Sequence, residues 1–132
     1  MTNKNAKIIN LALTSAKKRI ESSQKLLEIG NFSDSVSRAY YAVLDAARAA
    51  LMTQGEMPKS HAGTIMKFNQ HFIKTDKIDK KFGPLISKLE KARTEADYQF
   101  GVEFTKEEAK GVLETAEEFV AEVKKVLDNQ KG

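Results

Sequence analysis

TKEEAKGVLETAEEFVAEVKKVL, residues 105–127, carries Ala109, Val112, Leu113, Ala116, Phe119, Val120, Val123, Val126 and Leu127 mostly three or four residues apart. That spacing lays the apolar side chains along one stripe of an α-helix of about five turns. The start of the helix is written in the same run. Thr105 is suited to cap the first turn, Glu108 stands three residues on as its capping-box partner, and Glu107 sits where the helix dipole is positive. A helix this one-sided must be covered by others.

Upstream segments supply the cover. Ile9, Ala12, Leu13, Ala16, Ile20, Ser23 and Leu27 predict a first helix from Asn5 to Ile29, stopped by Gly30 and Asn31, which tolerate the left-handed conformation of a helix end. A second helix is predicted from Phe32 to Gln54, with Val36, Tyr40, Val43, Leu44, Ala47 and Leu51 facing inward and Gly55 with Pro58 closing it. Ser60 is placed to cap a short third helix bearing Ile65, Phe68 and Phe72, after which residues 74–81 are too polar for more than a loose turn. Gly83-Pro84 restarts the chain, and a fourth helix follows with Leu85, Ile86, Leu89, Ala92 and Ala96, fraying near Gly101. No segment alternates like a strand. The expected fold is all-α, an antiparallel up-and-down four-helix bundle with a short accessory helix, and residues 1–132 suit one domain.

Composition removes whole classes of chemistry. There is no Cys, so disulfide frameworks, thiolate catalysis, Cys-ligated zinc and iron–sulfur ligation are excluded. No apolar run is long enough for a signal peptide or a membrane span, and a cytoplasmic, soluble protein with no membrane partner is expected. The formal charge of +4 is unevenly spread: +3 over residues 1–58, +6 over 59–93 and −5 over 94–132. The cationic middle third is either a solvated Lys-rich face or a surface that attracts phosphate or an acidic partner.

The familiar catalytic signatures are absent. Di-iron bundles place a Glu three residues before a ligating His, whereas Pro58 and Phe68 stand three before His61 and His71, the chain's two histidines. Walker, dinucleotide-binding, zincin and nucleophile-elbow motifs are missing as well, so no catalytic residue, metal site or cofactor is assigned. What remains is a polar stripe on the second helix. Arg38, Tyr41, Asp45 and Arg48 share one face, and Arg93 on the fourth helix lies one turn from both Leu89 and Asp97. These groups form either an ion-pair ladder that fixes helix register or a polar cleft in which Arg93 bridges to Asp45 or Asp97, or holds a phosphate. His61, just after its capping residue, meets the positive end of a helix, where the neutral imidazole is favoured. Phe68 and Phe72, set among lysines, have the helical spacing of core residues rather than of a base-stacking platform.

Three segments resemble the HEPN family. The run Ser37-Arg38-Ala39-Tyr40-Tyr41-Ala42 through Leu51 is similar to that family's second helix, with its Arg-x-Tyr-Tyr-Ala core and small-residue run. Lys59-Ser60-His61-Ala62-Gly63, followed by Phe68, is similar to its Lys-x-His-x-Gly segment, and Arg93-Thr94-Glu95-Ala96-Asp97-Tyr98 to the Arg-x-x-Ala-Asp-Tyr segment of an uncharacterised prokaryotic subgroup. The resemblance implies four main helices, homodimers, and pairing with small nucleotidyltransferases as partner, antitoxin-linked toxin or nucleotide-binding module. Many members are ribonucleases that use an Arg followed, after four to six residues, by His. Here the positions so spaced from Arg93 are Tyr98, Gln99 and Phe100, and those spaced likewise from Arg19, Arg38 and Arg48 hold no His either.

The expectation is therefore a non-catalytic HEPN-like module, a homodimer whose cleft of Arg38, Tyr41, Asp45, His61, Arg93, Asp97 and Tyr98 takes a nucleotide, an RNA phosphate or a nucleotidyltransferase partner in a toxin–antitoxin-like system. The alternatives are a metal-independent ribonuclease with an atypical active site and a purely structural interaction bundle.

Overall fold

A computed structural model of the chain describes residues 3–98, 101 and 103–131. It contains α1 (Asn3–Glu28), α2 (Phe32–Met52), α3 (His61–Phe68), α4 (Phe82–Tyr98) and α5 (Lys106–Lys131). A single π-helical turn, Asn69–Ile73, prolongs α3, and no strand occurs among the described residues. None of these helices is long and apolar enough to cross a membrane.

Helix ends follow the local chemistry. Gly30 adopts φ +85° and lets Asn31 N donate to Leu26 O at 2.8 Å, closing α1 with its last carbonyls bonded. Gly55, at φ +76°, closes α2 in the same way, with Glu56 N donating to Leu51 O at 3.0 Å. The regular part of α2 stops at Met52, two residues before the expected Gln54, because Thr53 N and Gln54 N turn back three residues to Ala50 O and Leu51 O. Ser60 Oγ accepts from Gly63 N at 2.9 Å to start α3. At α5, Thr105 N donates to Glu108 Oε1 at 2.9 Å and Glu108 N donates to Thr105 Oγ1 at 3.1 Å, the reciprocal pair of a capping box.

Two expectations need adjustment. The third helix does not run regularly to Phe72: it widens at Asn69, and the π turn carries Phe72 and Ile73 into the core. The polar stretch 74–81 is irregular as expected, yet Ile78 pins it, buried at 1% exposure, with its N–H donating to Phe72 O at 3.0 Å. Helix α4 begins at Phe82, one residue before Gly83-Pro84, and ends at Tyr98; Gln99 and Phe100 lie outside the described residues.

Helix α2 is the hub, packed by α1, α3, α4 and α5, while α4 and α5 approach each other less closely and meet through Phe82 and Phe119. Its alanines 39, 42, 46, 47, 49 and 50 are all buried, so neighbouring helices approach from several sides without side-chain interference. Where α1 and α2 cross, Ser23 Oγ donates to Ser35 O at 2.7 Å and Ser35 Oγ to Ser23 O at 2.8 Å, satisfying two buried hydroxyls. Beyond α2, Phe119 of α5 meets Phe68 and Phe82 edge-on, with ring centres 5.2 and 5.7 Å apart.

Phe119 is 1% exposed and joins three elements that have little else in common. Phe119→Ala is expected to lower unfolding stability by about 3–5 kcal/mol in urea titration, whereas Met66→Ala, at an exposed position, is expected to shift it by less than about 0.5 kcal/mol. Equal effects would show that the aromatic cluster is not the core.

Candidate functional site

In α4 the inward stripe runs Phe82, Ile86, Leu89, and the next position of that stripe is Arg93. Helical geometry thus forces a guanidinium into the core. Arg93 is 8% exposed and is the one buried charged residue among the described residues. Taking such a group out of water costs several kcal/mol unless its surroundings compensate.

Compensation comes mainly from ring faces. The guanidinium carbon lies 5.1 Å from the centre of the Tyr40 ring, 6.0 Å from Tyr41 and 5.8 Å from Tyr98. Nη1 stands 3.7 Å from Asp97 Oδ2, too long for a strong hydrogen bond, and Nη2 stands 3.4 Å from His61 Nδ1. Nε and the buried Tyr40 hydroxyl make no well-aligned hydrogen bond, although that hydroxyl lies near enough to Arg93 for the guanidinium to act on it. Burial works against the Arg93 charge, but Tyr41, Tyr40 and Asp97 outweigh it and the group remains cationic. The Tyr40 hydroxyl is pushed up to about 12, mainly by burial and then by Glu90, so it keeps its proton.

His61 is the first residue of α3 and leans on both tyrosine rings, 5.8 Å from Tyr40 and 6.0 Å from Tyr41. A guanidinium only donates, so Nδ1 facing it serves as an acceptor and bears no proton. Desolvation, then the charges of Arg93 and Arg48, hold this histidine below its ordinary value.

The remaining stripe of α2 divides. Asp45 does not bridge to Arg93; its Oδ2 accepts from Arg19 Nε and from Ser15 Oγ, both at 2.7 Å, across the α1–α2 contact. Arg19 also lies over the Tyr41 ring at 5.5 Å, which places Tyr41 between two guanidiniums. Arg48 Nη2 donates to Lys59 O at 3.3 Å, and its buried Nε is unpartnered. Arg38 is exposed and joins none of these contacts. The structure therefore brings together Tyr41, His61, Arg93, Asp97 and Tyr98, sets Asp45 beside them in a second cluster, and leaves Arg38 outside. Sequence reasoning missed Arg19, Ser15 and Tyr40. Beside the α2 stripe runs a groove of about 430 Å³, walled by Ile8 and Ala12 of α1 on one side and Met57, Pro58 and Lys59 on the other. No group of three or more His, Asp or Glu side chains among the described residues is placed to hold a metal ion.

Residues 9–126 match the family model described as the HEPN domain. A protein named "Putative toxin MJ0605" from Methanocaldococcus jannaschii is 37% identical over 112 residues, covering 85% of this chain and 83% of that protein. A UPF0332 protein of Thermotoga maritima is 30% identical over 129 residues, 98% of each chain. Among solved structures, TT1696 from Thermus thermophilus superposes with a TM-score of 0.77 over 89% of this chain and 97% of its own, at 17% identity, which speaks for the fold.

The position of His61 sets a pH dependence. Its folded value lies below the unfolded one, so the unfolded chain takes up the proton first as pH falls. Its contribution to stability is complete above the ordinary histidine range and is lost as pH drops through it. Proton NMR titration is expected to show His61 titrating lower than a free histidine and moving back up in Arg93→Ala; an unchanged midpoint would refute the contact.

Proposed function

The chain belongs to the HEPN domain family, and from that starting point we propose that it acts as a non-catalytic module whose Arg93 cleft holds a phosphoryl group of a nucleotide or of RNA. The observation that carries this reading is the state of Arg93: largely buried, cationic, and set against tyrosine rings with only a distant carboxylate. A phosphate supplies the charge and acceptor oxygens that this guanidinium lacks. Tyr41, Tyr98 and His61 lie against the same guanidinium and offer further polar contacts. The words "Putative toxin" in the names of two relatives support a place in a toxin–antitoxin-like system, and the partner proposed for it, on the family resemblance alone, is a small nucleotidyltransferase. Pairing of two copies would use the face on which Tyr98, 69% exposed, stands beside the cleft.

One observation favours a second reading. The sequence lacks a His at ribonuclease spacing from Arg93, yet the fold delivers a neutral His61 to that arginine from another helix, and its Nδ1 lone pair could take a proton once it turns from Arg93. An RNA 2′-hydroxyl placed there would meet a base and a phosphate-binding cation, as an atypical ribonuclease requires.

Three measurements separate these possibilities. Binding of a mixed-sequence single-stranded RNA is expected to weaken as salt rises, since phosphate contacts release counterions, and Arg93→Ala is expected to weaken it roughly tenfold to hundredfold. Indifference to both salt and the substitution would remove the phosphate site. No metal-independent RNA cleavage is expected; robust cleavage that disappears in His61→Ala would replace the binding reading with the nuclease one. Sedimentation at tens of micromolar is expected to show a dimer, and a monomer alone would end the pairing proposal.

A further inference from the structure

We infer that the groove between α4 and α5 is a docking site for a cationic amphipathic helix of another protein. It shares no lining residue with the Arg93 cleft, so the inference stands or falls independently of what that cleft holds. Shape, one glycine and charge carry it.

Leu85, Leu89 and Ala92 of α4 and Val112 of α5 give the groove an apolar floor, Phe104 borders it, and the space measures about 410 Å³. At the start of α4, next to the Phe82–Phe119 contact, Lys81 Nζ donates to Glu118 Oε1 at 2.6 Å and ties the two walls together. Leu85 and Ala92 are seven residues apart, so the floor is two turns, about 10 Å, long. That is the reach of a helix presenting apolar side chains at i, i+3 or i+4, and i+7. On the α5 wall the polar groups are engaged: Thr115 Oγ1 donates to Gly111 O at 3.0 Å, and Glu108 Oε1 accepts from Thr105 N. A small polar ligand would find only Lys88 to orient it.

Gly111 lines the α5 wall from the interior of the helix, where glycine is weaker than alanine. Its φ is not positive, and a Cβ built on it meets no atom within 4 Å. Nothing among the described residues therefore calls for the missing side chain. At the edge of an apolar groove, bare backbone lets another helix come close.

The rim decides which helix. On α5 the edge beside Gly111 is acidic, with Glu107 and Glu108 one turn before it and Glu114 and Glu118 one and two turns after, while Lys110 is turned about 100° away around the helix. The charge of −5 over residues 94–132 is thus gathered along this wall. Anionic surfaces such as a membrane or a nucleic acid are repelled there, and lysines or arginines flanking an apolar stripe are attracted. A second copy offers no such stripe. Its exposed large apolar residues, Leu11, Ile29, Met57, Met66 and Tyr98, stand singly, no two of them a helical turn apart.

The test measures binding of the full chain to two stapled helical peptides of about four turns, both with leucines at i, i+3 and i+7, one flanked by lysines and the other by glutamates. The lysine peptide is expected to bind at least about tenfold more tightly than the glutamate peptide, and less tightly as salt rises. Gly111→Leu enters open space and is expected to leave thermal unfolding unchanged while weakening the lysine peptide at least about tenfold. Glu107→Lys combined with Glu114→Lys, both exposed, is expected to shrink the preference between the peptides to less than about threefold. Two peptides that bind alike, no binding of either at about 1 mM, or lysine-peptide binding that ignores both the glycine and the glutamate substitutions would each overturn the docking site. A dimer that sediments as a monomer in Gly111→Leu would make the groove a contact between copies and overturn it as well.

Discussion

Helix α2 has neighbours on nearly every side, and that crowding organises the molecule. A helix enclosed by four others can carry few polar groups, so its buried positions are mostly alanine, valine and leucine. Beyond its first two turns, the polar residues Tyr41, Asp45 and Arg48 stand along the one strip that α1, α3 and α4 leave partly open. That strip is the floor between the α1 wall and the α3–α4 wall. The Arg93 cleft, the Arg19–Asp45 pair and the methionine-lined groove are three stations along the same face of one helix.

Electrostatics give this strip its character. Exposed ion pairs such as Lys80–Asp76 and Lys81–Glu118 contribute little, because water screens them and both side chains lose freedom. Arg93 differs because its surroundings are tyrosine rings rather than water. Each cation–π contact in a desolvated setting is worth roughly 1–2 kcal/mol, so two or three of them offset much of the burial cost without neutralising the charge. A carboxylate at 2.7 Å would have neutralised it, as Asp45 does for Arg19. Aromatic faces keep the positive charge available.

Much of this is legible in the residues, for reasons that can be stated. The capping box at Thr105 and Glu108 and the cap at Ser60 depend on local spacing, which sequence shows directly, and the hydrogen bonds are present. The gathering of Tyr41, His61, Arg93, Asp97 and Tyr98 is legible through helical phase and family resemblance together. Arg19 is not, because its role depends on the register between α1 and α2, and only the antiparallel pairing brings residue 19 opposite residues 41 and 45. Tyr40 reads as core and is core; what spacing does not tell is that an arginine occupies the core position facing it. The π turn at Asn69 escapes because an inserted residue changes the phase of a short helix without leaving a compositional mark.

Proton accounting then weighs binding against cleavage. Breaking an RNA backbone by attack of the 2′-hydroxyl needs one group to remove that proton and another to protonate the departing 5′ oxygen. For the first task His61 has one free lone pair, on Nδ1, which must turn from Arg93 before it can take that proton. For the second the cleft offers little. Tyr40 is held near 12 and is buried, so its hydroxyl parts with a proton reluctantly, and Arg93 stays cationic and cannot donate one at neutral pH. A second histidine would be needed, but His71 faces Glu56, at 3.6 Å, and makes no recorded contact with Arg93. A site with a base, a cation and aromatic faces but no matched acid is better equipped to hold a phosphate than to cut beside one.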